Sequence, residues 1–387
     1  MTSPLVDRMS GFGTSIFTEM SALAIAHKAV NLGQGFPDSD PPDEIKDVAA
    51  HAIASGMNQY PPARGMPVLR EAIAAHQQRF YGLDVDADTE VLVTVGASEA
   101  IAACVLALIE PGDEVLSFDP SYDAYPAAVA LAGGVHRTIA LRFADNGFDP
   151  AELDAAVTER TKIILLNNPH NPTGKVFTPA ELEQIAAVAK QRDLVVVTDE
   201  VYEHLTFDGL GHRPMASLPG MAQRTLTISS GAKTFAATGW KVGWVHGAPP
   251  LIDAVARVKQ YLTFTGAAPF QPAIAHGLGM ADEFFVVLRA DMQERRDVLV
   301  EALHGLGLAT APSQGSYFVV ADVAPLGVDD ALTWCRGLPQ RAGVACVPVS
   351  VFCQDPKPTR TQVRFGFCKQ TSVLREGTRR LAALGRG

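Results

Sequence analysis

The sequence predicts an α/β fold in which helices cover both faces of a mostly parallel sheet. Strand-like and helix-like segments alternate through the middle of the chain, and the strands are continuous runs of valine, isoleucine and leucine. Such uninterrupted apolar strands are typical of parallel sheets that are buried on both faces. The predicted strands cover residues 91–95, 114–118, 163–166, 194–198 and 225–229.

Helices are predicted between these strands. Residues 98–109 have helical character, and Pro111-Gly112-Asp113 marks the end of that segment. Residues 179–192 form a second predicted helix, for which Thr178 is the N-cap. Each helix lies between two strands, which is the order that a parallel sheet requires.

The two ends of the chain have a different pattern. Residues 1–45 show little periodicity, whereas a long charged helix is predicted at 285–306, followed by strand-like pieces at 316–321, 344–347 and 362–367. We therefore expect a large domain at 46–284 and a small α+β domain formed by residues 1–45 together with 285–387.

Composition excludes several classes of function. The chain has 387 residues, of which 47% are hydrophobic and 19% charged, and its formal net charge is −10. Without a basic cluster, neither nucleic acid nor an anionic membrane is expected as a partner. The first eight residues lack a basic region followed by an apolar stretch, and no run of 18 apolar residues occurs, so we expect a cytoplasmic protein.

The cysteines give no sign of a disulfide framework or a zinc site. Their number is five, and no pair has CxxC spacing. Small buried thiols in a reducing compartment are the simpler interpretation, and no metal site is expected.

Polar residues directly follow several predicted strands, at the sheet edge where open parallel sheets bind ligands. Gly96 and Ala97 form a turn that leads into the helix start at Ser98, where free N–H groups suit a phosphate, although Ser98 could simply cap that helix. Asn171 lies in a loop with two Asn-Pro steps, which could also be an ordinary turn. Asp199 ends an apolar strand, where a carboxylate calls for a cationic partner; its simpler role is a helix cap.

Two lysines follow the last predicted strand. Lys233 comes after a small flexible loop and precedes an aromatic residue, and Lys241 has Gly239 and Gly243 close to it. A lysine that loses its charge through desolvation can attack carbonyl groups. Taken alone, each of the two is more simply a solvated surface charge.

Together these residues match the needs of a pyridoxal 5′-phosphate (PLP) enzyme. Such an enzyme requires a lysine to form the Schiff base, a carboxylate to keep the pyridine nitrogen protonated, hydrogen-bond donors to O3′ and a phosphate cup. The predicted sheet brings Lys233, Asp199, Asn171 and Ser98 to one edge.

Three motifs, NPHNPTG, DEVY and SGAKTFAATGWKVGW, make the chain resemble the fold-type I, class I PLP-dependent aminotransferases. The resemblance extends over nearly the whole chain, and it is strongest to the kynurenine/glutamine/methionine aminotransferase branch. Within that branch the sequence is most similar to actinobacterial proteins described as N-succinyldiaminopimelate aminotransferases. It implies a seven-stranded, mostly parallel sheet in the large domain and a homodimer with active sites at the subunit interface.

The resemblance also assigns roles around the cofactor ring. Lys233 is the Schiff-base lysine and proton shuttle, and Asp199 pairs with the pyridine nitrogen. Tyr202 and Asn171 bind O3′, and Tyr122 stacks on the ring.

Phosphate and substrate contacts follow from the same resemblance. The phosphate contacts are assigned to Gly96, Ala97, Ser98, Ser230 and Lys241. Tyr60 reaches the phosphate of the neighbouring subunit, Arg364 clamps the substrate α-carboxylate, and Gly35 and Asn171 complete the substrate site.

Two departures bear on specificity. Many class I relatives have arginine where Lys241 stands, but the most similar branch also has lysine. That branch often has an aromatic residue in place of Ser98, so a more polar or roomier pocket is expected. Arg64 is the one candidate for a second carboxylate contact, and a solvated loop charge is its simpler interpretation.

The implied reaction is ping-pong transamination from an L-amino acid, such as N-succinyl-L,L-diaminopimelate, to 2-oxoglutarate. Kynurenine, methionine and glutamine fit the same catalytic core as donors. A cysteine-S-conjugate β-lyase of the same fold would use the same residues, and a non-catalytic regulator or binding module is a third hypothesis.

Overall fold

A seven-stranded sheet forms the centre of the computed structural model, which describes residues 5–383. In chain order, the first elements are α1 (Ile16–Ala26), β1 (Val30–Asn31), α2 (Asp43–Ala54), α3 (Pro67–Tyr81), β2 (Val91–Val95), α4 (Gly96–Leu108), β3 (Glu114–Asp119), α5 (Ala124–Leu131), β4 (Val135–Ala140), α6 (Pro150–Ala156), β5 (Thr161–Asn167), α7 (Pro179–Gln191) and β6 (Val195–Asp199). The elements that follow are β7 (Thr225–Ser230), α8 (Gly231–Thr234), β8 (Val242–Gly247), α9 (Pro249–Leu262), α10 (Gln271–Leu278), α11 (Asp282–Gly305), β9 (Ala309–Thr310), β10 (Phe318–Asp322), α12 (Ala331–Ala342), β11 (Val344–Ala345), β12 (Val347–Pro348), β13 (Gln362–Gly366) and α13 (Thr371–Ala382).

The strand order of the central sheet is β2-β8-β7-β6-β5-β3-β4, and β8 alone runs antiparallel to its neighbours. The predicted mostly parallel sheet is therefore confirmed. Alternate residues of the apolar strands pack on opposite faces: Ile163 and Leu165 lie in the core with α4 and α9, whereas Ile164 and Leu166 pack against α7. This two-sided burial explains why the strands lack polar alternation.

Two strands of the sheet were missed by the sequence analysis. Strand β4 is an edge strand, half exposed and rich in polar residues, and β8 contains Gly243, Trp244 and His246 in place of an apolar run. Neither has the continuous valine, isoleucine and leucine composition on which the prediction depended. The helix predicted at 98–109 begins two residues earlier, at Gly96.

The chain ends pack together beside the sheet. Strands β12, β13, β10 and β9 form an antiparallel sheet, and β1 pairs in parallel with β11. The predicted strand 344–347 is thus two short strands in different sheets. The division at 46–284 stays a prediction, and its boundary at 284 falls in the first turn of α11; residues 1–4 and 384–387 lie outside the described chain.

Two further expectations concern the whole chain. All five cysteines are free thiols. Between residues 5 and 383, the structure contains no helix with the length and apolar character that crossing a membrane requires.

Candidate active site

A cavity of about 240 Å³ opens at the carboxyl edge of the central sheet, between the sheet and the packed chain ends. Among the residues that line it are Gly35, Gly96, Ala97, Ser98, Tyr122, Asn171, Asp199, Tyr202, Ser230, Lys233, Lys241 and Arg364. Every predicted site residue except Tyr60 is therefore in one place.

Lys233 lies in α8, the single helical turn that follows β7 directly. Its Nζ atom donates a hydrogen bond to the Gly35 carbonyl oxygen at 3.3 Å and lies 5.8 Å from the Tyr202 ring centroid. Burial among these groups lowers the pKa of Lys233 to about 8. An amine with that pKa is partly neutral near pH 7, as a nucleophile or proton acceptor must be.

Asp199 is the last residue of β6, and its carboxylate is 5% exposed. The Tyr125 hydroxyl donates to Asp199 Oδ2 at 2.8 Å. Burial raises the pKa of Asp199 to about 6. In the described structure no arginine or lysine forms an ion pair with this carboxylate, so it is suited to a cationic group of a ligand.

The Asn-Pro loop is fixed to the end of β6. Asn167 Nδ2 donates to the Asp199 carbonyl oxygen at 2.7 Å, and Asn167 Oδ1 accepts from the Asn171 backbone N–H at 2.6 Å. Asn168 Oδ1 accepts from the Phe177 N–H at 3.0 Å. These bonds hold Asn171 at the cavity, and the loop is therefore more than an ordinary turn.

Arg364, on β13, is the most deeply buried cation of the cavity, with 1% exposure. One terminal nitrogen donates to Asn171 Oδ1 at 2.9 Å and the other to the Gly33 carbonyl oxygen at 2.8 Å. Its guanidinium carbon lies 4.0 Å from the Phe318 ring centroid, and its Nε atom has no partner in residues 5–383. N–H groups thus remain available on a planar fork that matches a carboxylate.

The start of α4 faces Lys241. Gly96 has a φ of +74°, and a Cβ atom there would lie 3.1 Å from Lys241 Nζ. A Cβ atom on Gly243 would lie 2.5 Å from the Gly96 carbonyl carbon, so glycine is required where β8 passes this turn. Because the N-cap is Val95 and no side chain caps the helix, the capping role considered for Ser98 is wrong. The first N–H groups of α4 are free for an anion.

Two tyrosines also line the cavity. Tyr202 is buried and meets Tyr317 edge-on at 5.0 Å, and burial raises the pKa of its hydroxyl, which therefore stays protonated. Tyr122 is half buried and packs edge-on against Tyr125 at 5.6 Å.

Tyr60 and Arg64 lie away from the cavity. Tyr60 is 83% exposed and contacts the ring of Phe264 at 5.6 Å. Arg64 pairs with Asp253 and donates to the Thr89 carbonyl oxygen, which agrees with the simpler interpretation of a loop charge.

Several cavity residues were not identified from the sequence. They are Phe17, Gln34, Phe36, Ile101, Asn167, Val201, Ala232, Thr238 and Phe318. Val201, Ala232 and Thr238 stand inside the DEVY and SGAKTFAATGWKVGW motifs, which offered a signal. Asn167 directly precedes NPHNPTG, whereas Phe17 and Phe318 come from the chain ends and carry no local pattern. Tyr125 and Tyr317 also act at the site, through their contacts with Asp199 and Tyr202.

The arrangement combines a partly neutral amine, a buried carboxylate, a guanidinium fork and an anion-binding helix start. These groups can bind a phosphorylated, cationic heterocycle together with an amino acid carboxylate. The amine can accept a proton from one bound molecule and return it to the other.

Comparison with known proteins gives consistent matches. A sequence profile of the family described as aminotransferase class I and II matches residues 27–381. The solved structure of N-succinyldiaminopimelate aminotransferase from Mycobacterium tuberculosis matches with 50% identity and a TM-score of 0.96, over 98% of this chain and 100% of that one. The methionine aminotransferase of Escherichia coli is 41% identical over 99% of both chains. The kynurenine–oxoglutarate transaminase of Dictyostelium discoideum is 38% identical over 95% of this chain and 93% of its own.

Proposed function

Because this chain belongs to the class I and II aminotransferase family, we propose that it transfers amino groups through pyridoxal 5′-phosphate carried on Lys233. The chain is an aminotransferase, and its fold is that of the fold-type I aminotransferases, which depend on PLP. Its substrates are amino acids and 2-oxo acids. The observation that carries the residue-level proposal is the convergence of Lys233, Asp199 and Arg364 on one cavity.

The cavity residues fit PLP. The buried Asp199 carboxylate, which lies in the field of Lys233 but forms no close ion pair among the described residues, would hold the protonated pyridine nitrogen. The phosphate would bind at the uncapped start of α4, beside Lys241 and Ser230. Tyr202 and Asn171 would donate to O3′, and Tyr122 would stack on the ring. When bound, the cofactor supplies an electron sink that weakens the substrate's Cα–H bond.

Proton movement falls to Lys233. Nζ would hold the cofactor in the resting enzyme and would be a free amine in the cavity when the substrate is bound. With its pKa lowered to about 8 by burial, the Nζ amine can accept the Cα proton and return it near neutral pH. The hydrogen bond from Nζ to the Gly35 carbonyl oxygen keeps the amine directed into the cavity.

Arg364 orients the substrate. Its side chain is fixed by Asn171 and by the Gly33 carbonyl, so its free N–H groups would meet the α-carboxylate without losing side-chain entropy. Stacking on Phe318 excludes water from one face of the guanidinium, which strengthens a charged hydrogen bond there. Gly35 lines the same region through its backbone.

We propose a homodimer for this enzyme. Tyr60 is 83% exposed, and its neighbour Phe264 and the nearby Tyr261 also expose aromatic surface. Aromatic side chains that would otherwise remain in water are typical of interfaces. In such a dimer Tyr60 would reach the phosphate in the neighbouring subunit's cavity. We also propose that residues 46–284 form the large domain and that the enzyme is cytoplasmic.

We propose N-succinyl-L,L-diaminopimelate as the first amino donor to test and 2-oxoglutarate as the acceptor, because the relative of that name is 50% identical. Kynurenine, methionine and glutamine form the rest of the donor panel. The assay follows glutamate formation and the cofactor absorbance at fixed acceptor concentration. We expect the preferred donor to convert the lysine-bound cofactor to its amine form without acceptor, and to yield glutamate with it.

Two variants serve as controls. Lys233→Ala should lose the lysine-bound cofactor absorbance and glutamate formation, whereas Lys162→Ala, at an exposed position of β5, should keep both. Pyruvate released without acceptor would indicate β-elimination. If no donor changes the cofactor absorbance of the wild type, the proposed reaction is wrong.

A further inference from the structure

A buried group of two histidines and one glutamate lies beside the strand ends that carry the cavity. His76 belongs to α3, and Glu203 and His204 follow β6. Their ligand atoms lie within 4.8 Å of one another, and the residues are only 2%, 5% and 3% exposed. None of the three lines the cavity, so the proposed function leaves them without a role.

The two imidazole rings face each other. The Nε2 atoms of His76 and His204 are 2.7 Å apart. Two N–H groups cannot point at each other over that distance, so at least one nitrogen presents a lone pair. The rings of Phe80 and Phe285 pack against the pair, with centroids 4.8 Å from His76 and 4.4 Å from His204. The aromatic rings thus enclose the pair on its apolar side, and a carboxylate oxygen of Glu203 lies within 4.8 Å of a nitrogen of each ring.

Glu203 is a buried carboxylate that lacks a fixed cation. Oε1 accepts from the Ser229 hydroxyl at 2.6 Å, and the Tyr81 hydroxyl also hydrogen-bonds to the carboxylate. No lysine or arginine of residues 5–383 forms an ion pair with it. A buried carboxylate in that position is costly unless a positive charge compensates it. A further buried imidazole, His246, interacts electrostatically with Glu203 and His76, and its Nε2 atom has no partner in the described structure.

We propose that His76, Glu203 and His204 bind a divalent transition-metal ion, with zinc as the first choice. Two imidazole nitrogens and one carboxylate oxygen form a ligand set typical of zinc, with a fourth position open. Ligand atoms of a tetrahedral zinc ion lie about 3.3 Å apart, so the two Nε2 atoms need to separate by only ~0.6 Å. No metal site was predicted from the sequence, because the ligands come from α3 and from the distant turn after β6 and have no recognisable spacing.

The ion would connect α3 to the ends of two strands, β6 and β7, each of which lies next to a cavity residue. Glu203 directly follows Tyr202, and its partner Ser229 directly precedes Ser230. A metal bond at Glu203 therefore restrains the ends of both β6 and β7. This restraint on the strand ends is the role proposed for the ion, and it is independent of the proposed transamination.

The first experiment measures zinc in the purified holoenzyme. Protein produced in zinc-supplemented medium is passed through gel filtration and analysed for elemental zinc. We expect about one zinc ion per chain in the wild type and in His51→Gln, an exposed histidine of α2, and a loss of most of it in His76→Gln and His204→Gln. Wild-type protein that retains no more zinc than His76→Gln overturns the proposal.

A second measurement requires no variant and covers the case in which the substitutions prevent folding. Crystals of the wild-type holoenzyme prepared with zinc are measured at the zinc absorption edge. An anomalous peak between the three side chains supports the site. No peak there, or zinc bound only elsewhere, overturns it and leaves a plain hydrogen bond between His76 and His204.

Discussion

Asp199→Asn tests whether the cofactor-binding carboxylate destabilises the protein while the cofactor is absent. Asp199 is 5% exposed and receives a hydrogen bond from Tyr125, but burial raises its pKa from 3.8 to about 6. A carboxyl group with a raised pKa in the folded state favours unfolding once the pH exceeds its unfolded value. Asparagine keeps the shape of the side chain and removes the charge.

The magnitude follows from the two pKa values. Each unit of difference corresponds to about 1.4 kcal/mol, so the full destabilisation is about 3 kcal/mol well above pH 6. At pH 5 the carboxyl group is still mostly protonated in the folded chain, and the penalty is about 1.6 kcal/mol. The penalty falls to about 0.6 kcal/mol at pH 4 and vanishes near pH 3. The variant should therefore gain stability over the wild type as the pH rises from 5 to 8.

Urea unfolding of the cofactor-free proteins, at equal concentrations and at several pH values, measures this difference. The free energy of unfolding of Asp199→Asn should exceed that of the wild type by about 1.5 kcal/mol more at pH 8 than at pH 5. Asp84→Asn, which removes an exposed carboxylate, should show no such trend. A gap that is constant or shrinks with rising pH refutes the reasoning about Asp199.

Three other predictions concern the same cavity. Arg364→Lys should lower kcat/KM for the amino donor about 10- to 100-fold in steady-state kinetics, because it removes the bidentate fork. Arg360→Lys, at an exposed position, should leave kcat/KM unchanged. Equal effects of the two substitutions would contradict a carboxylate clamp at Arg364. Gly243→Ala should weaken PLP binding about tenfold or more in equilibrium titrations, because its Cβ would lie 2.5 Å from the backbone at the start of α4. Gly239→Ala, which has open space around the new Cβ, should bind PLP as the wild type does. The rate of PLP incorporation by Lys233 should rise about fivefold from pH 7 to 8 and about twofold more from pH 8 to 9, and then level off, as its lowered pKa requires. A further rise of nearly tenfold between pH 9 and 10 would indicate an ordinary lysine.

The central sheet was predictable because its strands carry a physical signature. Strands such as β5 and β6 are buried on both faces and therefore need apolar residues throughout. Strand β8 lacks that composition because Gly243 must let the start of α4 approach, and β4 lacks it because it lies at the sheet edge. The prediction thus missed the two strands whose residues are determined by the close approach of α4 or by exposure at the sheet edge.

The site was predictable to the extent that sheet geometry determines it. Asp199 and Lys233 follow parallel neighbouring strands, so their convergence follows from the predicted sheet. Arg364 was identified through family resemblance, since no local pattern connects it to the sheet. Phe17 and Phe318 reach the cavity only through the packing of the chain ends, which sequence periodicity does not describe.

The hydrogen bond between Arg364 and the Gly33 carbonyl joins residues 331 positions apart. During synthesis, the segment that contains Gly33 emerges early, and its partner Arg364 is added only after nearly the entire chain has been made. The sheet edge with Lys233 can form earlier, so a nascent chain can acquire the means to hold the cofactor before it can grip an amino acid. Release from the ribosome thus sets the moment at which the substrate site becomes complete, and a chain truncated before β13 would carry the amine without the clamp.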